Sequence, residues 1–246
     1  FNVFRTAVNA VSEWVDAANT YIEDMNLFSV AMGKYAESAR NYAQEVANVM
    51  GIDPGAWMRY QGVFQTLATG FGVAGDRAAV MSQQLTQLGY DISSFYNIDV
   101  EAAMLKLQSG LSGELEPLRR IGYDLSQARL EAEALSLGIE KNFSDMTQAE
   151  KAYLRYYAIL TQVTQAQGDM SRTLDAPSNQ LRILKEQATQ AARALGEIFI
   201  PALNAILPYA IAVMHVIRDL ASEIAAAFGF EMPKVDYSDL STSVNI

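Results

Sequence analysis

The sequence predicts an all-α protein: a long heptad-patterned helix or helical hairpin, then a bundle of shorter helices, then a C-terminal apolar helix. Three observations point there. The first fifty residues hold a single glycine, Gly33, and no proline, and their apolar residues recur at steps of four and three. That period places a narrow seam on one face of a helix. Helix-start signals recur downstream, at Asp53-Pro54, at Asp99 and at Thr147-Gln148-Ala149-Glu150. Runs of alternating β-branched residues, which mark strands, are missing throughout.

Residues 1–50 carry two stripes. Phe4, Val8, Val11, Val15, Ala18, Ile22 and Met25 form the first, and Phe28, Met32, Tyr35, Ala39, Tyr42, Val46 and Val49 the second. A phase slip near Met25 and Asn26 separates them, as a stammer in one helix or as the turn of a hairpin, and the spacing leaves both open. It also leaves open whether the stripes form a true coiled coil or two ordinary core-facing helices.

Residues 51–176 read as a compact helical module. Gly51 is placed to end a helix, and Asp53-Pro54 to begin the next. From Ala56 to Gly138 the pattern suggests short helices separated by Gly70, Gly72, Gly75, Gly89, Gly110, Gly113 and Gly122. Asp99 caps a helix with an acidic first turn, and the Thr147–Glu150 capping box opens one that can run to Gly168.

Residues 177–230 read as an amphipathic to apolar helix pair that starts at Asp175-Ala176-Pro177. Leu181, Leu184, Ala188, Ala191, Leu195 and Ile198 keep heptad spacing. From Ile198 to Ile217 runs an uncharged stretch, IFIPALNAILPYAIAVMHVI, bounded by Glu197 and Arg218. It is long enough to cross a bilayer. Pro201, Asn204, Pro208 and His215 lower its quality as a simple anchor, which leaves a buried or self-associating helix as the other reading. Its candidate membrane-facing residues are Ile198, Phe199, Ile200, Leu203, Ile206, Leu207, Ile211, Val213, Met214, Val216 and Ile217. Residues 231–246 read as an extended linker.

Composition narrows the chemistry. The chain has no cysteine and one histidine, His215, which removes thiolate nucleophiles, zinc ribbons and two-histidine metal sites. Twenty-eight acidic against 18 basic residues give a net charge of -10, so tight nucleic-acid binding is not expected. Gly70-Phe71-Gly72-Val73-Ala74-Gly75 has the dinucleotide spacing G-x-G-x-x-G but lacks the strand that motif needs before it. Glu114 with Glu116, and Glu131 with Glu133, stand two apart and point to different helix faces, so neither makes an acid–nucleophile couple. Arg119-Arg120 beside Glu116 reads as a local ion-pair node. No catalytic, cofactor-binding or metal-ligating residues are assigned, and a non-enzymatic role is expected. Because the chain opens at Phe1 inside a helical pattern, it reads as a piece of something longer.

Three blocks go beyond composition: GVFQTLATGFGVAGDRAAVMSQQLTQLGYDISSFYNIDVEAAMLKL from Gly62 to Leu107, LQSGLSGELEPLRRIGYDLSQARLEAEALSLGIEK from Leu107 to Lys141, and TQAEKAYLRYYAILTQVTQAQGDMSRTLDAPSNQLRILKEQATQAARALGEIFIPALNAILPYAI from Thr147 to Ile211. Together they resemble the tape measure proteins of long-tailed bacteriophages and prophages. The similarity extends upstream through GIDPGAWMRYQG and covers the chain from about Leu27 to Asp236, while residues 1–25 fit only as generic coil. The resemblance implies a virion component in the lumen of the tail tube, assembled in the host cytoplasm, that sets tail length and leaves the tube around genome ejection. It implies other copies of itself, tail-tube and tail-tip proteins, and the host inner membrane as partners. The family's membrane-active role maps onto Ile198 to Ile217.

Seam positions expected to pack helix on helix or copy on copy are Phe4, Val8, Val11, Val15, Ile22, Phe28, Met32, Tyr35, Tyr42, Val46, Leu181, Leu184, Leu195 and Ile198. A fully helical chain of this length would reach about 370 Å. Fifteen glycines and six prolines argue against that reach, so the length-measuring part is expected to lie mostly outside this piece.

Overall fold

The computed structural model describes the backbone of residues 2–198, 200 and 201, and the side chains of residues 9–198, 200 and 201. Among these residues there are helices, turns and loops and no strand. In order, α1 is Asn2–Met32, α2 Ala36–Met50, α3 Pro54–Gly70, α4 Gly75–Tyr96, α5 Val100–Ser112, α6 Glu116–Arg119, α7 Gln127–Ser136, α8 Gln148–Thr161 and α9 Asp169–Arg172. A further helix, α10, covers 177–198. The chain divides into two compact units, one of residues 1–18 with 192–246, the other of residues 19–191.

In the larger unit the all-helical expectation holds, with instructive differences. α1 runs unbroken through Met25 and Asn26; the interruption falls instead at Gly33–Tyr35, a 3₁₀ turn that Gly33 enters with φ of 53°. A long helix can absorb a phase slip that the sequence pattern alone would read as a turn. The second stripe is also rotated. Phe28, Met32 and Ala39 are buried as expected, but the next buried residues are Ala43, Ala47 and Met50, while Tyr35, Tyr42 and Val46 are half-buried and Val49 is 72% exposed. A straight helix turns every 3.6 residues and drifts against a 3.5-residue seam, and small alanines let the neighbouring helix come close.

Gly51 ends α2 with φ of 67°, and Asp53 caps α3, its carboxylate accepting from the N–H groups of Gly55 at 3.0 Å and Ala56 at 3.3 Å. α3 and α4 make the most extensive pair, joined by the short turn 71–74. Their interface is built on Trp57 and Tyr90, both fully buried and stacked with centroids 5.6 Å apart at 9°. The Trp57 indole N–H donates to Gln61 Oε1 at 3.1 Å, satisfying the polar edge of the ring. Around this stack lie Phe28, Phe64, Met81, Leu85, Met104 and Leu107, one contiguous core.

Two glycines expected to separate short helices lie inside longer ones: Gly89 within α4 and Gly110 within α5. Gly89 has ordinary helical backbone; what it lacks is a Cβ, which would run into the side chain of Met104. Gly62 serves the same end in α3, where a Cβ would stand 2.7 Å from Leu27 Cδ2 and 3.1 Å from Phe28 Cα. These glycines mark close helix approaches, a use that sequence spacing does not distinguish from a break.

Asp99 caps α5, accepting from Glu101 N–H at 3.3 Å. Thr147 and Glu150 form the expected capping box. α8 stops at Thr161 rather than reaching Gly168, because Val163 takes a left-handed conformation with φ of 46° and a 3₁₀ turn, Thr164–Ala166, follows. In the smaller unit Gly196 is buried against the backbone carbonyl of Trp14 and the side chain of Ala18, and Val11 and Val15 are half-buried.

Candidate functional site

α10 carries the largest departure from amphipathic expectation. Its heptad leucines should face a core. They face outward: Leu181 is 69% exposed and Leu184 61%, with Ala188 and Ala191 also exposed. In the smaller unit Leu195 and Ile198 are exposed as well. The face turned toward the larger unit's core holds Asn179, Arg182, Ile183, Glu186 and Gln190, the residues on the opposite side of the heptad.

The inward face is polar because it bonds to α4. The Ser93 carbonyl already accepts from the Ile98 N–H at 3.1 Å, and α10 adds further donors at that C-terminal end. Arg182 donates to the carbonyls of Ser93 at 3.2 Å and Ile98 at 3.3 Å, a cation at the negative end of a helix dipole. Its other nitrogen donates to Asn179 Oδ1 at 2.6 Å, which fixes the guanidinium plane. The Asn179 amide donates to Ser94 Oγ at 2.9 Å and to the Thr173 carbonyl at 2.9 Å, and Ser94 donates to Asp169 at 2.6 Å. One turn earlier on α4, the buried Asp91 carboxylate accepts from the N–H groups of Gly168 at 2.8 Å and Met170 at 3.2 Å.

A row of polar groups on α4 therefore clasps the segment 168–182. Ile183 packs on Gly51, and Gln190 reaches the carbonyl of Ile52 at 3.4 Å. Burial pulls the Arg182 guanidinium below its ordinary value, with Asp99 and Glu186 acting against that shift. Burial pushes the Asp91 carboxyl up, opposed by the two backbone N–H donors. Glu186 is half-buried with no hydrogen bond or ion pair among the described residues. Burial raises its carboxyl, Asp53 and Asp99 raise it further, and Lys185 and Arg59 act the other way.

Among the described residues, three concavities accompany these surfaces. One of about 650 Å³ lies beside the clasp, lined by Tyr60, Asp99, Glu101, Leu181, Arg182 and Glu186 among others. A second, about 590 Å³, lies between α4 and the 160–171 segment and is lined by Gln83, Gln84, Gln87 and Asp91. The third, about 460 Å³, is apolar, walled by Leu137, Ile139, Met146, Tyr153, Leu154 and Tyr157, with the Lys141–Glu150 ion pair at its edge.

The remaining sequence candidates are scattered. Phe28 and Met32 lie in the core and Ile22 is 46% exposed; Phe4 and Val8 are helical, but their side chains lie outside the described residues. So do Phe199 and the residues from Leu203 to Ile217, His215 included; of the apolar stretch only Ile198, Ile200 and Pro201 are described. Among the described residues no helix is long and apolar enough to cross a membrane, and no cluster of His, Cys, Asp and Glu could hold a metal ion. Gly70 to Gly75 forms the α3–α4 turn, behind a helix. Glu116 pairs with both Arg119 and Arg120, as the ion-pair reading expects. Glu133 pairs with Arg129.

Sequence reasoning missed the clasp residues Asp91, Ser94, Asn179 and Arg182. One signal was present: Asp91 is a lone charge in Leu88-Gly89-Tyr90-Asp91-Ile92, where a buried carboxylate needs donors from elsewhere. No protein-family model, curated protein or solved structure matches this chain.

Proposed function

We propose that this chain is part of a phage tail tape measure protein, a structural component of the tail-tube lumen that sets tail length during assembly and takes part in genome ejection. The observation that carries the reading is the outward heptad seam of α10. A helix that satisfies its polar face on its own body and leaves leucines at 3.5-residue spacing in water is built to meet another helix. The positions flanking the seam, Gln180, Lys185, Gln187, Ala192 and Ala194, carry one charge between them. A second copy could therefore approach without like-charge repulsion, despite the net charge of -10. The sequence resemblance supplies the biological setting, and the acidic balance suits an occupant that yields its place to DNA.

The role is structural, with no residue assigned to catalysis. A stop codon at Trp14 in the phage reading frame should abolish tails or give tails of aberrant length by electron microscopy. Normal tails would sink the reading. A second reading, a helical protein that inserts in the host inner membrane as a conduit, rests on the uncharged stretch from Ile198 to Ile217. It predicts leakage of dye-loaded liposomes by the full chain, and no leakage at any pH would remove it.

A further inference from the structure

The manner in which α10 is held has a consequence that self-association does not require. Most amphipathic helices dock by burying their apolar stripe, at roughly 25 cal/mol per Å². Over residues 177–191, α10 buries one apolar side chain in part, Ile183, and otherwise docks through hydrogen bonds. Such bonds contribute little net free energy, because water offers replacements on release. The preceding turn is held differently: Met170 is fully buried and Gly168 and Met170 are tied to Asp91. A firm anchor at 168–174 thus precedes a weakly held helix, with the turn 173–176 between them.

Glu186 sits in the middle of that helix's docked face. Around its carboxylate stand Arg182 and Lys185 from its own helix, Asp53 from the α2–α3 turn, Arg59 and Tyr60 from α3, Tyr90 from α4, and Asp99 and Glu101 at the start of α5. Carboxylates and cations balance around it, three of each, and none of them forms a hydrogen bond or ion pair with Glu186. A half-buried carboxylate without a hydrogen-bond partner opposes docking, because burial strips its water and nothing replaces it.

We propose that residues 177–191 form a releasable strap, caught by Arg182 on the end of α4 and held near its release point by Glu186. Undocking pivots on 173–176 and frees the polar face of α10 while α9 stays in place. Burial holds the Glu186 carboxyl above its ordinary value in the docked state, so the docked state binds its proton more readily than the released one. Docking therefore tightens as pH falls through that range and loosens as pH rises.

Native-state hydrogen exchange on the full chain, read by mass spectrometry and corrected for intrinsic rates, tests this. Amides of residues 181–190 should open together, at least tenfold more often than those of α3 and α4. Glu186→Gln should lower that opening several-fold at neutral pH and remove its pH dependence. Arg182→Ala should raise it about tenfold or more. If these amides exchange only with α3 and α4, no strap exists. If they open independently but Glu186→Gln changes nothing, the restraint assigned to Glu186 is wrong.

Discussion

Replacing Leu181 and Leu184 together by glutamate separates a seam made for another helix from a misplaced piece of core. At 69% and 61% exposure the two side chains contribute little to the folded chain, so the double variant should keep its stability to within about 0.5 kcal/mol per site. Association is another matter. If the exposed part of each leucine becomes buried between copies, each contributes about 1–2 kcal/mol. Two leucines on each of two chains then give roughly 4–8 kcal/mol, at least three powers of ten in Kd. Sedimentation equilibrium measures that loss, and thermal unfolding of the same samples measures stability. Leu85→Ala, a truncation at a fully buried site, supplies the contrast at about 2–5 kcal/mol. The reasoning fails if the double variant associates as the parent does, or if it loses stability on the scale of Leu85→Ala.

Two other predictions address the fold. Gly62→Ala places a methyl 3.1 Å from the Phe28 backbone, which has little room to move, and should cost about 1–3 kcal/mol in a thermal or denaturant melt; a neutral effect would mean α1 and α3 can separate freely. Lys141 and the Thr147 N–H hold the Glu150 carboxyl down at about 2. A depressed carboxyl gives stability that is present above the unfolded value and lost as pH falls toward 2, so carbon-detected NMR should find Glu150 titrating well below the ordinary glutamate value. Thr147→Ala should move Glu150 upward and weaken the cap by about 1 kcal/mol; an unmoved Glu150 would remove the capping box from the account.

Helix starts were the most legible part of the fold. Asp53-Pro54, Asp99, the Thr147–Glu150 box and Pro177 each carry their own stereochemistry, and the structure begins helices there. Helix interiors and ends were less so. Gly89 and Gly110 read as breaks because a missing side chain looks the same whether the chain turns or a neighbour presses in. The stop after Thr161 depends on the left-handed backbone of Val163, which a β-branched residue does not advertise. The leucine positions of α10 were visible as a heptad, but their direction was not. Arg182 turns the opposite face inward by donating to the Ser93 and Ile98 carbonyls, nearly ninety residues away along the chain, and periodicity carries no record of them. The Asp91 clasp is hidden for the same reason, since its donors are backbone N–H groups any sequence could supply.

The proposed role, a structural occupant of a phage tail, is open to direct measurement. Quantitative mass spectrometry of purified virions, before and after triggered genome release, tests it most directly. That role requires several copies per intact particle in the tail fraction, and their departure with the DNA. Absence of the chain from intact particles, or its retention in emptied tails at full copy number, would contradict it.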